Sequence, residues 1–199
     1  MVTRDLSTKK VLLYLLKSFS NTHTITTLAQ ELGLSRVGIW KILKKLENEK
    51  YILLNAVGSG KTSTSIIMLN WDSPLVEKTL SLYLTEEALK QRRWQVNFLD
   101  LERVADFVIL YGSILQSPQQ ANDIDILGVA SKKNFIKIQN IVDVVQKTQS
   151  KKIHSINFIE SEFKAELKKQ NKAFIDAVKK GVILFGQDKF VKFIGGMLK

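Results

Sequence analysis

The stretch Val108–Val129, which reads VILYGSILQSPQQANDIDILGV, most narrows what this chain can fold into. The apolar run Phe107–Tyr111 predicts a buried strand, because it is short, continuous and bounded by residues that favour turns. Gly112-Ser113 and the polar residues after it predict a loop. A second run, Asp123–Leu127, alternates acidic and apolar residues and predicts a half-buried strand. The stretch therefore predicts two strands joined by a loop that begins with glycine.

The second strand carries the chemistry of this stretch. Side chains alternate along a strand, so Asp123 and Asp125 share one face while the isoleucines between and after them share the other. Two neighbouring carboxylates repel each other, and their pKa values are raised unless a cation lies between them. Oxygen ligands at this spacing suit Mg²⁺ (or Mn²⁺), whose coordination is completed by water and substrate phosphates. The pair therefore predicts a metal site, with an exposed acidic hairpin edge as the alternative.

The loop before the carboxylates predicts a phosphate site. Gly112 allows a phosphate to approach the backbone, and Ser113 adds a hydroxyl and an N–H donor. The order Gly112-Ser113, nine residues, then Asp123-x-Asp125 resembles the minimal nucleotidyltransferases of the DNA polymerase β superfamily. The resemblance extends from near Trp94 to the C-terminus.

That resemblance carries expectations about fold and function. It implies a small mixed sheet with helices packed on it, two-metal chemistry and a nucleoside triphosphate (NTP) as donor. Asp123 and Asp125 would be the metal-binding and catalytic residues, and Gly112 and Ser113 would hold the phosphates. Such domains include antitoxins that nucleotidylate a toxin, so a toxin-like protein partner is one expectation.

The family normally adds a third carboxylate on a later strand, which here is predicted at residues 153–159. Polar side chains on that strand should face the site, which selects Ser155 and Asn157 and places Asn157 beside Asp125. Neither residue is acidic, and Glu160 could replace the acid only through a bulge. The two histidines, His23 and His154, are expected to be ordinary surface or strand residues. Whether the domain is an active enzyme therefore stays open.

The N-terminal part of the sequence predicts three short helices. Ser7 is a candidate cap for the first, which should run to about Phe19. Thr26 or Thr27 could cap the second, and Gly33 supplies the turn that follows it. Ser35 should cap the third helix, from Arg36 to about Glu49. Apolar residues at helical spacing predict its buried face, and its other face carries Arg36, Trp40, Lys41, Lys44 and Lys45.

The segment LAQELGLSRVGIWKILKKLENEKYI resembles a helix-turn-helix, and the residues after it resemble the wing of a winged helix. The wing would consist of strands Tyr51–Val57 and Ser65–Asn70, joined by a basic tip at 58–63 that contains Lys61. In this family the helix after the turn enters the major groove and the wing touches the neighbouring DNA. The resemblance implies DNA binding by Ser35, by Lys61 and by the five residues on the exposed face of the third helix. The family often has glycine where this chain has Lys50, which affects only the helix end.

Two competing interpretations concern the same region. The letters GSGKT resemble a P-loop, but the full pattern requires glycine at position 55, which is Asn55. A P-loop also leads from a strand into a helix, whereas this segment leads into a β-rich run. The basic helix face could instead be a solvated surface. The order of capped turn, basic helix and glycine-rich hairpin favours DNA binding.

The remaining residues predict a boundary and further elements. The boundary falls at residues 71–74, with Ser73 and Pro74 suited to a helix start. The further elements are helices at 75–84 and 86–106 with Thr85 as a cap between them, a helix at 134–149, a strand at 151–160, a long helix at 161–180 stopped by Gly181, and a short strand and final helix.

The expected fold class is α+β, with a winged helix-turn-helix followed by a nucleotidyltransferase-type mixed sheet and flanking helices. The expected domains are residues 1–72, linker helices at 73–95 and residues 96–199. The net charge of +11 favours polyanionic partners. The sequence has no cysteine, signal peptide or membrane-spanning apolar run, so we expect a cytoplasmic protein with no membrane partner.

Three functional hypotheses follow from these features. The first is a transcriptional regulator that binds double-stranded DNA as a homodimer and whose second domain binds Mg-NTP and either senses or transfers the nucleotide. The second is an active nucleotidyltransferase that modifies a protein, RNA or small molecule. The third is an inactive scaffold. The missing third acid favours the first or the third.

Overall fold

A computed structural model describes residues 6–58 and 64–198. The chain divides into two compact units, the first ending at Leu80 and the second running from Ser81 to Met197. The division falls inside a helix rather than in an extended linker. Among the residues that the structure describes, no helix is both long and apolar enough to span a bilayer.

In its described residues, the first unit contains three complete helices and a β-hairpin. These are α1 (Leu6–Lys17), α2 (Ile25–Leu32), α3 (Arg36–Asn48), β1 (Ile52–Val57) and β2 (Thr64–Leu69). The two strands pair antiparallel. Apolar residues from all five elements form the buried core of this unit: Val11, Leu12, Leu15, Leu16, Leu28, Ile39, Leu43, Leu46, Ile52, Ile67 and Leu69.

The predicted helix caps of this unit are partly wrong. Ser7 lies inside α1, which already includes Leu6, so Ser7 is not its N-cap, and the helix ends at Lys17 rather than Phe19. Thr24, not Thr26 or Thr27, caps α2. Its hydroxyl accepts from the N–H of Thr27, and the Thr27 hydroxyl accepts in return from the N–H of Thr24 at 2.8 Å. This reciprocal pairing satisfies two end donors, which a cap at Thr27 could not do.

A single helix, α4 (Pro74–Leu89), continues through the break that was predicted at Thr85. The Thr85 hydroxyl donates to the carbonyl oxygen of Ser81 at 2.9 Å, one turn back, so it supports the continuing helix instead of capping a new one. The rest of the predicted second helix, 86–106, is not one continuous helix. It consists of α5 (Arg92–Asn97) and a 3₁₀ segment, Leu99–Arg103.

The second unit contains a four-stranded mixed sheet. Its strands are β3 (Phe107–Tyr111), β4 (Asp123–Val129), β5 (Lys152–Phe158) and β6 (Val182–Phe185), in the spatial order β5-β4-β3-β6. β3 is antiparallel to both β4 and β6, while β4 and β5 are parallel. The α+β class and the later sheet with helices are therefore confirmed.

Four helices complete this unit: α6 (Phe135–Gln146), α7 (Glu160–Lys168), α8 (Lys172–Lys180) and α9 (Gln187–Leu198). The predicted long helix over 161–180 is wrong, because the chain breaks between α7 and α8. Gln170 has a left-handed backbone with φ of 57°, and the Asn171 side chain accepts from the N–H of Ala173 at 3.2 Å to cap α8. Because the residues on both sides of this break have helical apolar spacing, the sequence pattern did not reveal the cap.

The two faces of the sheet are packed differently. One face, which includes Ile124, Ile126 and Ile153, joins a core with α5 and α6. On the other face, the Phe107 ring packs against Phe163, Phe190 and Phe193, and its centroid is 5.4–6.1 Å from theirs. Alternation places the carboxylates of β4 on this second face, at the end of the strand away from the aromatic cluster.

Candidate functional site

The turn between α2 and α3 determines where α3 begins. Gly33 adopts a left-handed conformation with φ of 64°, as predicted, and Leu34 donates its N–H to the carbonyl of Ala29 at 3.0 Å. The hydroxyl of Ser35 then accepts from the N–H of Gly38 at 3.0 Å and caps α3. Ser35 therefore acts first as a helix cap, and Arg36 starts the helix.

The helix α3 has a buried face and an exposed basic face. Ile39, Leu43 and Leu46 are fully buried against the rest of the first unit. The five residues of the predicted DNA-binding face, hereafter the basic face, are all exposed: Arg36, Trp40, Lys41, Lys44 and Lys45. The fold thus presents positive charge on one side of a helix whose other side is held in a core.

Lys44 differs from the other members of the basic face. Its ammonium pairs with Glu47 at 2.9 Å and lies 4.6 Å from the centre of the Trp40 ring. These contacts neutralise part of its charge and hold the indole against the helix surface. Lys44 is consequently the basic-face residue whose charge is least available to a partner.

A β-hairpin follows α3 as expected for a wing. Ile52 and Leu69 form its base, and Ile67 donates its N–H to the carbonyl of His23 at 2.9 Å, which adds a short third strand segment. The outer part of β1, up to Val57, is exposed. The predicted basic tip with Lys61 lies in residues 59–63, outside the described residues. His23 was expected to be an ordinary surface or strand residue. It is buried and forms an isolated β-bridge with Ile67, so of these two options it is not a surface residue.

The carboxylate site forms where three strands lie side by side. Asp125 of β4 is paired with Tyr111 of β3 and with His154 of β5, so all three side chains emerge on one face. His154 Nδ1 is 3.4 Å from Asp123 Oδ2 and 3.5 Å from Asp125 Oδ1. The donor atoms of these two aspartates and His154 all lie within 4.8 Å of one another. The structure therefore joins a histidine to the predicted carboxylate pair.

The predicted register of β5 is wrong by three residues, because His154 rather than Asn157 is paired with Asp125. Asn157 is paired with Gly128 and Ser155 with Ile126, so both project to the opposite face, towards α6. Asn157 Oδ1 and Ser155 Oγ are buried, and among the described residues neither atom has a hydrogen-bond partner. Glu160 begins α7, beyond the end of β5. None of these three residues stands beside the carboxylates.

The packing of Ile153 explains the observed register. Ile153 is buried and paired with Ile124, so it belongs to the face that packs on α6. Alternation from that apolar residue puts His154 on the site face. Polar character alone pointed to Ser155 and Asn157, and the need to bury Ile153 overrides it.

Burial and charge perturb two groups in the site. The pKa of Asp125 is raised, first by burial and then by neighbouring Asp123, while His154 opposes the increase. The pKa of Tyr111 is raised by burial and by the charges of Asp125 and Asp123. A cation bound between the carboxylates would relieve both effects, since opposite charge favours the ionised carboxylate.

Gly112 lies directly against this pair. Its φ is 83°, and a Cβ atom added there would overlap Asp125 Oδ2. Ser113, which follows, is exposed and begins a single 3₁₀ turn. The fold thus brings the predicted phosphate-binding residues to the same edge as the predicted metal ligands.

The first unit, with two helices at a glycine turn and a following hairpin, has the architecture of a DNA-binding domain. A family model described as an HTH domain matches residues 8–60. No curated protein and no solved structure matches the chain significantly. The chain therefore carries an N-terminal helix-turn-helix DNA-binding domain.

Proposed function

We propose that this chain is a transcriptional regulator that binds duplex DNA through its first unit and a nucleoside triphosphate with a divalent cation through its second. The observation that carries the DNA-binding part is the capped helix α3 with its exposed basic face, within the residues matched by the HTH domain. Recognition by such a helix takes place in the major groove. Two copies acting as a homodimer would read paired half-sites.

The nucleotide part of the proposal is supported by the edge of the sheet where Gly112 meets Asp125. Two carboxylate oxygens fit a hard cation such as Mg²⁺ or Mn²⁺. The exposed backbone of Gly112-Ser113 and the hydroxyl of Ser113 fit a phosphate, while the missing Cβ of Gly112 leaves space for Asp125 Oδ2. In this proposal Asp123 and Asp125 hold the cation while Gly112 and Ser113 orient the triphosphate.

Binding without transfer is the form of this function that the site supports best. Transfer would need a group to accept the proton of the attacking hydroxyl, and nucleotidyltransferases use a carboxylate beside the pair. In the described part of the chain, the β5 residue paired with Asp125 is His154, which is not a carboxylate. A bound NTP would then act as a ligand that changes how the protein binds DNA.

An active nucleotidyltransferase is the second candidate function, and one observation favours it. The His154 imidazole, 3.5 Å from Asp125, could itself accept a proton, since histidine is the commonest general base. The acceptor would be a protein, as in antitoxin-like relatives of the family it resembles, or an RNA or small molecule.

The deciding experiment measures both activities in the full-length protein. Fluorescence anisotropy with labelled genomic duplexes should show DNA binding whose affinity changes when Mg²⁺ and NTP are added together. Asp123→Asn should remove the nucleotide effect but not DNA binding, whereas Asp143→Asn, an exposed aspartate on α6, should keep both. Intact mass measured with each NTP tests the enzyme alternative, because transfer adds a nucleotide to protein. DNA binding unaffected by any nucleotide would contradict the regulatory proposal.

A further inference from the structure

We infer that Asp123, Asp125 and His154 form a binding site for a transition-metal ion such as Zn²⁺, which the site takes in preference to Mg²⁺ and without a nucleotide. The inference rests on the proposed function only in placing a divalent cation at the carboxylate pair. It changes the expected identity of that cation and makes the metal itself a ligand of the second unit.

The two separations from His154 fit a small tetrahedral ion, and the donor oxygens of Asp123 and Asp125 lie within 4.8 Å of each other. Nδ1 of His154 is 3.4 Å from Asp123 Oδ2 and 3.5 Å from Asp125 Oδ1. Two ligands bound at about 2.1 Å to a tetrahedral Zn²⁺ lie about 3.4 Å apart. Adjacent ligands of an octahedral Mg²⁺ lie closer, at about 3.0 Å.

The chemistry of the donors points the same way. Imidazole nitrogen suits zinc and other late first-row ions, whereas Mg²⁺ selects oxygen ligands and keeps its water. A site with two carboxylates and one imidazole gives three protein ligands, which leaves a fourth tetrahedral position open. That position can take water or an oxygen of a phosphate approaching over Gly112.

The sheet holds these donors in place before any metal binds. Asp123 and Asp125 lie on one strand, and His154 is hydrogen-bonded through its backbone ladder to that strand. Side-chain exposure of 45% for His154 and 21% for Asp125 leaves the site open to solvent. A pre-formed, accessible set of donors loses little conformational entropy when the ion binds.

The rest of the chain offers little competition for such an ion. The sequence has no cysteine and only two histidines. The other histidine, His23, is buried in the first unit, with its Nε2 atom 3.0 Å from the carbonyl oxygen of Ser18. Binding that depends on a histidine can therefore be assigned by two substitutions.

The test uses the full-length protein without nucleotide. Titration calorimetry with Zn²⁺ and with Mg²⁺ gives the preference, and Co²⁺ absorption in the visible region reports nitrogen ligation. We expect one Zn²⁺ per chain, bound at least tenfold more tightly than Mg²⁺. His154→Ala should alter the Co²⁺ spectrum and weaken Zn²⁺ binding by at least about 10-fold to 100-fold, the loss that removing even an outer-shell partner of a ligand typically causes. His154→Asp should shift the preference towards Mg²⁺.

Controls separate this inference from the proposed function. His23→Gln should leave Zn²⁺ binding unchanged if circular dichroism shows that it is folded. Should it unfold, NMR of wild-type imidazoles supplies the control, because only His154 signals should respond to Zn²⁺. Equal affinity for Zn²⁺ and Mg²⁺, or Zn²⁺ binding indifferent to His154→Ala, would overturn the inference. Mg²⁺-dependent NTP binding could still be present in that case. If instead the wild type binds Zn²⁺ as expected but shows no Mg²⁺-dependent NTP binding, only the nucleotide proposal is refuted.

Discussion

Asp125 lies directly opposite His154 in the parallel pairing of β4 and β5, and the two side chains approach to 3.5 Å. This relationship decides the composition of the site, because strand pairing fixes which residues share a face. A shift of one residue would have replaced the imidazole with the hydroxyl of Ser155 or the apolar side chain of Ile153. The predictions below depend on this register and on the basic face of α3.

The strand register predicts opposite results for two new carboxylates. His154→Asp puts a third acid beside Asp125, so it should strengthen Mg²⁺-dependent NTP binding or increase any nucleotidyl transfer, measured by calorimetry and intact mass. Asn157→Asp instead puts an acid on the face that packs on α6, where Asn157 Oδ1 is buried and, within the described residues, lacks a hydrogen-bond partner. It should lower the free energy of unfolding by about 1–3 kcal/mol. Increased transfer by Asn157→Asp would show that the register is wrong.

Two glycine substitutions should have opposite effects on stability. Gly112→Ala should destabilise the protein by about 1–3 kcal/mol and weaken NTP binding, because its backbone conformation is nearly restricted to glycine and its Cβ would overlap Asp125. Gly196→Ala is the matched control. It lies in α9 with no atom within 4 Å of an added Cβ, so it should stabilise by about 0.5–1 kcal/mol. Chemical denaturation measures both changes in stability. Wild-type NTP affinity in Gly112→Ala would show that Gly112 is not part of the nucleotide site.

The raised pKa of Asp125 predicts a pH-dependent gain in stability from Asp125→Asn. Because the pKa of Asp125 is higher in the folded than in the unfolded chain, its ionised form destabilises the fold. This destabilisation develops as the pH rises from the unfolded pKa through the folded pKa and is complete above it. Asp125→Asn should therefore melt at a higher temperature than wild type near neutral pH. Thermal scans should show the difference shrinking as the pH falls to about 4; a constant difference would refute this cause.

The end of α3 predicts a stabilising substitution. Lys50 has a left-handed backbone with φ of 60°, and the N–H of Tyr51 bonds to the carbonyl of Leu46 at 2.8 Å. A residue with a Cβ is strained in this conformation, and glycine relieves the strain at some cost in chain entropy. Lys50→Gly should raise the free energy of unfolding by about 0.5–1 kcal/mol. DNA affinity of the folded variant should change little, since Lys50 lies outside the basic face.

The basic face predicts a dependence of DNA affinity on salt. Lys41→Ala and Lys45→Ala should each reduce the log–log salt slope by about 0.9 if each lysine contacts one phosphate. Lys44→Ala should change the slope less, because Lys44 is already paired with Glu47. Lys137→Ala, exposed on α6 of the second unit, is the control for a general loss of charge. Equal slopes for all four variants would exclude these lysines as phosphate contacts.

Local patterns were sufficient for much of the architecture. The left-handed turn at Gly33, the cap at Ser35 and the bounds of α3 follow from residue types that satisfy helix ends and from apolar spacing. The two strands around Gly112 were predicted nearly to the residue for the same reason. Helix interruptions were harder, because Thr85 and Asn171 each have a side chain that can either cap a helix or bond within one.

The sequence by itself determined the candidate binding residues: two aspartates on one strand face for a metal, a glycine before them for a phosphate, and a basic helix after a capped turn for DNA. Only the tertiary structure decided that His154, rather than Asn157, joins those aspartates. The physical reason is that pairing between β4 and β5 is a non-local choice, made by burying Ile153 with Ile124 against α6. Alternation within a strand can be read from the sequence, but the face that turns to the core depends on what packs against it.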